Sequence, residues 1–139
     1  MATLSETARR LLSRAASEAL RRGRPQVEVE LVLLANLQEL PELRARLRGA
    51  GLDVDGYERR LDRVLPWAPA RRGRAAGISA TTARALRIAS GQAALLGHDR
   101  VGPEHLLLAI LADGESWAAR FLKGAPPAGS TATPRPEPP

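Results

Sequence analysis

Residues 97–111 read GHDRVGPEHLLLAIL, and they hold a helix stop, a helix start and a helix core in that order. Gly97 can take the left-handed conformation that closes a helix. Pro103, preceded by Gly102, suits a first helical position, where its missing N–H is no loss. From Leu106 onward the residues are apolar on nearly every side, as in a helix buried all round. A worn copy of the same stretch stands at residues 23–37, GRPQVEVELVLLANL. The two superpose without a gap at one constant offset, Gly23 on Gly97, Val27 on Val101, Glu30 on Glu104, Leu33 on Leu107 and Leu37 on Leu111.

The same offset pairs Ser5 with Ser79, Thr7 with Thr81, Leu12 with Leu86, Ala15 with Ala89, Ala19 with Ala93 and Arg46 with Arg120. A period this long with two copies describes two fused helical units, not a solenoid of short repeats. The two halves are expected to pack about a pseudo-twofold axis. In the first half, Ser5 is a good N-cap with Leu4 placed as a hydrophobic staple. Ala8, Leu11, Leu12, Ala15, Ala19 and Leu20 then make one apolar helix face, which Gly23 and Pro25 terminate. A buried helix is predicted over residues 28–40, and a third from Pro41 to near Arg48. A fourth, capped by Asp53 or Asp55, carries Tyr57, Leu61, Val64 and Leu65.

Residues 66–77, PWAPARRGRAAG, read as a linker, with Trp67 either pinning it to the domain or serving as an exposed contact. The second half restarts at Ile78 and Ser79, runs a helix to Leu96, begins its buried helix at Pro103 and ends with a short helix over residues 116–123. There Trp117 and Phe121 are expected to pack on the core of their own half. The last stretch, residues 125–139, APPAGSTATPRPEPP, is expected to be disordered, so that the eighth helix implied by the duplication is missing and seven remain.

The second half, with Ile78-Ser79, ALRIASGQAALLGH and VGPEHLLLAIL, closely resembles the N-terminal domain of Clp-type AAA+ unfoldases, whose two repeats each carry a G-H-x-x-[IV]-G-T-E-H-L-L-L signature. The resemblance covers residues 4–124 and is weaker in the first repeat. There Arg24 replaces the first His of the signature, Glu28 and Val29 replace Gly-Thr, and Leu31 replaces the second His. It implies an all-α double-repeat domain, with repeat 1 over residues 4–65 and repeat 2 over 78–124.

Composition narrows the function classes. One domain is the expectation for 139 residues. Aromatics are 3% of the chain, so Leu, Ala, Val and Ile must build the core, and the absence of cysteine removes disulfide and thiol chemistry. No apolar run precedes a cleavage site near the N-terminus and none approaches a membrane span, which leads to a cytoplasmic expectation with no membrane partner. The net charge of +6 and pI near 11.3 raise nucleic acid as a partner. Yet Arg9, Arg10, Arg14, Arg21, Arg22, Arg44, Arg46 and Arg48 interleave with carboxylates as solvated helix faces, and only Arg71, Arg72 and Arg74 cluster. No phosphate-binding Gly-rich loop exists, so the ATPase modules of the unfoldases have no counterpart here. His98 and His105 lack accompanying metal-ligand spacing and read as structural, His98 bonding in its turn and His105 near its helix start. No cofactor, metal or catalysis is expected.

Glu30 and Glu104 are the candidate ligand residues. Each stands in the first turn of a buried helix, where a carboxylate also simply complements the helix dipole. In the bacterial domains that this chain resembles, the matching glutamates bind phosphoarginine on proteins marked for degradation. Ser5 and Ser79 match the family's Thr and are caps first, ligands second. Leu4 and Ile78 stand where the family often has Phe, in a surface bound by adaptors and, in some members, cyclic peptide antibiotics. The resemblance thus implies a protein-binding module of a Clp proteolysis system, an accessory for substrates and adaptors or a decoy for compounds aimed at the unfoldase. The alternative class is a nucleic-acid-associated regulator using the arginine surface.

Overall fold

The computed structural model describes residues 3–70 and 76–124. Each half opens with two extended residues and a capped helix. β1 (Thr3–Leu4) leads into α1 (Glu6–Arg21), and β3 (Gly77–Ile78) leads into α5 (Ala80–Leu95). Ser5 Oγ accepts the Ala8 N–H at 3.0 Å, and Ser79 Oγ accepts the Thr82 N–H at 3.1 Å. Both helices end in the same way. Gly23 and Gly97 lie at φ 73° and 75°, and the next residues, Arg24 and His98, donate back to Ala19 and Ala93 carbonyls at 2.8 Å. This is the double hydrogen-bond closure that a left-handed glycine permits.

After each glycine come two extended residues and the buried helix: β2 (Gln26–Val27) with α2 (Val29–Glu39), and β4 (Arg100–Val101) with α6 (Pro103–Asp113). α3 (Pro41–Gly49) and α4 (Tyr57–Val64) complete the first half, and α7 (Trp117–Leu122) follows in the second, making seven helices among the described residues. Asp53 does serve the start of α4, but one turn early: its Oδ1 accepts from Gly56, which itself occupies the cap position.

The strands cross between the halves. β1 pairs in parallel with β4, Thr3 opposite Arg100 and Leu4 opposite Val101, while β2 pairs with β3, Gln26 opposite Gly77 and Val27 opposite Ile78. The offset that relates the repeats converts one pair into the other, so the expected pseudo-twofold is realised as an exchange. Each repeat completes its partner's strand pair. Strands of two residues leave no alternating pattern in a sequence, which is why none were expected.

The core is continuous across the repeats, with α2 its most enclosed element: Val29, Leu31, Val32, Leu33, Leu34, Ala35 and Leu37 are all buried. Trp117 and Phe121 do not keep to their own half. They enclose Tyr57 of α4, with Tyr57 and Trp117 stacked at 5.1 Å and Phe121 meeting the Tyr57 ring edge-on at 4.8 Å.

Arg22 corrects the expectation of a solvated arginine face. It is fully buried, its guanidinium bonded to Glu18 and to Asp62 at 2.7 and 2.8 Å with Glu58 3.6 Å away. Charged residues one helix turn apart look solvated in a sequence; here α4 folds across the end of α1 and covers one of them. Trp67 resolves as the pin: its indole donates to Asp62 at 2.9 Å and the guanidinium groups of Arg21 and Arg22 lie over its ring at 4.8 and 4.5 Å. Ala68 N–H donates to the Arg22 carbonyl, and a Cβ on Gly23 would come within 2.5 Å of the Ala68 and Pro69 carbonyl oxygens. The start of the linker is therefore packed against α1. Arg71, Arg72 and Arg74 and residues 125–139, including the place of an eighth helix, lie outside the described residues.

The two serine caps predict unequal effects. Ser79 is buried and sits in a chain, its hydroxyl bonded to Thr82 Oγ1, which in turn donates to the Val27 carbonyl across the repeat boundary. Ser79→Ala should cost about 1–2 kcal/mol in urea denaturation. Ser5→Ala, at a half-buried position, should cost less. Equal losses would mean that the cross-repeat chain contributes nothing.

Candidate functional site

The exchange of strands sets which candidate residues meet. Ser5 N–H donates to the Val101 carbonyl at 2.9 Å, which ties the start of α1 to the strand that runs directly into α6 and Glu104. Ser79 N–H donates to Val27 in the same way, at 3.3 Å, beside the start of α2 and Glu30. Each serine is thus tied through the backbone to the strand that precedes the opposite repeat's glutamate, but Ser5 is not among the residues lining the groove that holds Glu104.

The two glutamates occupy different environments. Glu30 is 7% exposed, and its carboxylate accepts the Ala118 N–H at 3.1 Å, capping α7 from across the repeat boundary. Its backbone carbonyl accepts the Tyr57 hydroxyl at 2.7 Å. Burial raises the Glu30 carboxyl above its ordinary range, against the opposing effect of the Ala118 N–H. Burial and the nearby Glu30 charge likewise push the Tyr57 hydroxyl well above its usual value. Of the two candidate ligand residues, Glu30 thus has its carboxylate engaged by the start of α7.

Glu104 is exposed. Its carboxylate folds over Gly102, where a Cβ would meet Oε1 at 2.6 Å, so a residue without a side chain makes room for it. It lies on a groove of about 650 Å³ between the starts of α3 and α6, lined by Leu40, Pro41, Glu42, Leu43, Arg46, Pro103 and Leu107. No side chain caps α3, so the N–H groups of Glu42 and Leu43, which follow Pro41 at this groove, are donors without intrahelical partners. Neither Glu42 nor Glu104 has an ion-pair or hydrogen-bond partner among the described residues.

The histidines form one unit. His105 Nδ1 accepts the Gly102 N–H at 2.8 Å, and its Nε2 lies 2.9 Å from His98 Nδ1. Since Nδ1 of His105 accepts, its proton is on Nε2, which donates to His98. His98 therefore bonds out of its turn and braces the start of α6 just below Glu104. The pairing needed residues seven apart to be read together, and the G-H-x-x-x-x-x-x-H spacing was its only sequence signal.

Leu4 lines a second groove of about 660 Å³, with Leu86, Arg87, Gly91, Ala94 and Val101, and Ile78 is 53% exposed. Leu95 and Leu96 are also exposed, at the end of α5. Among the described arginines many are matched by carboxylates, Arg14 with Glu39, Arg44 and Arg48 with Asp55, Arg60 with Asp53 and Arg84 with Asp113. No helix among the described residues is long and apolar enough to cross a membrane.

Comparison with known proteins gives a consistent result. The family model of the Clp repeat (R) N-terminal domain matches residues 3–125. The chain is 32% identical over 125 residues to the negative regulator of genetic competence ClpC/MecB of Bacillus subtilis (strain 168), covering 85% of this chain and 15% of that protein. It is 31% identical over 127 residues to the chloroplastic chaperone protein ClpC of Pisum sativum, covering 86% of this chain and 13% of that one. It thus spans about 15% or less of the length of these relatives. The crystal structure of the N-terminal domain of the Arabidopsis thaliana chaperone ClpD superposes with a TM-score of 0.70 at 22% identity, covering 88% of each chain, which is a likeness of fold.

Proposed function

Because the chain belongs to the Clp repeat N-terminal domain family, we propose that it is a non-catalytic protein-binding module of a Clp proteolysis system, with its recognition site at the Glu104 groove. One observation carries the reading: the Glu104 carboxylate is exposed and unpaired among the described residues, at a groove that also meets an uncapped helix start. A carboxylate accepts the planar guanidinium fork, and free N–H groups at a helix start suit a phosphoryl group. Phosphoarginine on a substrate protein is the ligand that combines both halves. Adaptors are the proposed partners of the apolar groove at Leu4, where Leu and Ile in place of aromatic residues reduce the area offered to a cyclic peptide. The carboxylate-matched arginines favour this reading over a nucleic-acid surface.

Calorimetric titration with free phosphoarginine tests it. One site is expected, weakened at least tenfold by Glu104→Ala, since a charge-assisted hydrogen bond contributes about 1.5–3 kcal/mol. Glu30→Gln should leave the affinity unchanged, and so should charge reversal at Arg71, Arg72 and Arg74. Binding indifferent to Glu104 would remove Glu104 from the role, and two equal sites would mean that Glu30 binds the ligand as well.

A further inference from the structure

The internal duplication says what the Glu104 groove is shaped for. The offset between the repeats carries the α2–α7 junction onto the α6–α3 junction: Glu30 becomes Glu104, Leu33 becomes Leu107, Trp117 becomes Leu43 and Phe121 becomes Leu47. At the first junction Tyr57 of α4 is wedged against Trp117 and Phe121 with its hydroxyl on the Glu30 carbonyl, and Leu33, Leu34 and Trp117 are buried. At the second, smaller leucines stand in place of the two aromatic rings, and the groove of about 650 Å³ runs from Leu43 to Glu104. The surroundings that α4 covers in repeat 1 are correspondingly open in repeat 2. Leu34 is 3% exposed and its counterpart Leu108 49%; Arg22 is fully buried and its counterpart Leu96 is 62% exposed.

We propose that the α3–α6 groove docks a tyrosine presented on an amphipathic helix of a partner protein, in the image of Tyr57 on α4. The occupant's pattern follows from the template: tyrosine, then apolar residues four and eight positions on, as in Tyr57, Leu61 and Leu65. Where Asp62 meets Arg22 in repeat 1, an apolar residue meets Leu96 in repeat 2. Basic residues on the flanks answer Glu42 and Glu104, the two carboxylates on the groove that are unpaired among the described residues. The chain's own continuation does not have this chemistry in its sequence. At the same offset Thr131, Arg135, Pro138 and Pro139 stand for Tyr57, Leu61, Val64 and Leu65, and Pro134, Pro136 and Pro138 each remove a helical N–H.

The inference rests on the junction being a partner-binding surface, as proposed above, but not on phosphoarginine being its ligand. The probe is a synthetic peptide of residues 53–66, DVDGYERRLDRVLP, carrying Asp62→Leu, titrated into the isotope-labelled full chain and followed by amide shifts. Saturable shifts at residues 40–46 and 103–108 are expected. Tyr57→Ala in the peptide, which leaves the protein's own fold untouched, should weaken binding roughly tenfold through the lost ring contacts and burial. Shifts centred on α5, equal binding of the two peptides, or none would overturn the proposal. So would concentration-dependent shifts of the groove in the free chain, which place a second copy there, or Overhauser contacts from residues 125–139, which place the chain's own end there. Glu104→Ala should weaken phosphoarginine binding at least tenfold but that of the tyrosine peptide far less, since the peptide keeps its ring contacts and Glu42, so failure of either ligand is read separately.

Discussion

Tyr57→Ala is expected to destabilise the protein by about 3–5 kcal/mol, the range for deleting a buried aromatic ring. Tyr57 is fully buried and is the shared element of three rings that join α4 of the first repeat to α7 of the second. Its removal leaves a cavity between the halves, where neither can relax without breaking the other's contacts. Tyr57→Phe separates the ring from its hydroxyl. The Glu30 carbonyl loses one hydrogen bond but remains within α2, so about 1–2 kcal/mol should be lost. Chemical denaturation of both variants decides the matter. If alanine costs no more than phenylalanine, the stacked rings are not what holds the two repeats together.

The features legible in the sequence were those set by local chemistry. Ser5 and Ser79 as caps, Gly23 and Gly97 as stops and Pro103 as a first helical residue each follow from backbone sterics within a turn or two, and all stand where expected. The constant offset then made the duplication and the buried α2 visible. Contacts between distant residues were not legible. Nothing near Tyr57 in the chain points to Trp117 in the other repeat, and nothing near Glu30 announces that Ala118 N–H is its partner. The candidate site was half visible for the same reason: two glutamates in like positions differ because α7 reaches only one of them.

The second large effect is expected at Arg22. Arg22→Ala removes a fully buried guanidinium from Glu18 and Asp62 and from beneath Trp67. Breaking a buried ion pair costs about 3–5 kcal/mol, but Asp62 and Glu58 are nearly half exposed and regain water, so roughly 2 kcal/mol is the expected loss near pH 7. Acid should erase the difference. Burial raises the Glu18 carboxyl, but hydrogen bonds from Arg21 and Arg22 outweigh it and bring it below 4.5; Asp62 is likewise raised by burial and brought below 3.8 by Trp67 and Arg22. Groups whose folded values are depressed stabilise above their unfolded values, and that stability is lost as pH falls through the folded ones. Wild type and variant should therefore converge below about pH 4.5, the ordinary value of Glu18. Glu30, shifted upward, acts with the opposite sign in both proteins and cancels from the comparison. A gap between the two that is constant down to pH 3 would mean that Arg22 acts by packing alone.

The crossed strands carry an implication for how such a chain assembles. Thr3–Leu4 finds its partner at Arg100–Val101, near the other end of the domain, and Gln26–Val27 finds its own at Gly77–Ile78, beyond the linker, so each repeat is finished by the other. A polypeptide holding only one repeat could satisfy the same pattern only by trading strands with a second copy of itself, as a symmetric pair. Fusion turns that bimolecular encounter into closure of a loop, whose entropic cost grows only with the logarithm of its length. Held in one chain, the two repeats meet at a fixed effective concentration, and their association no longer depends on how much protein the solution contains.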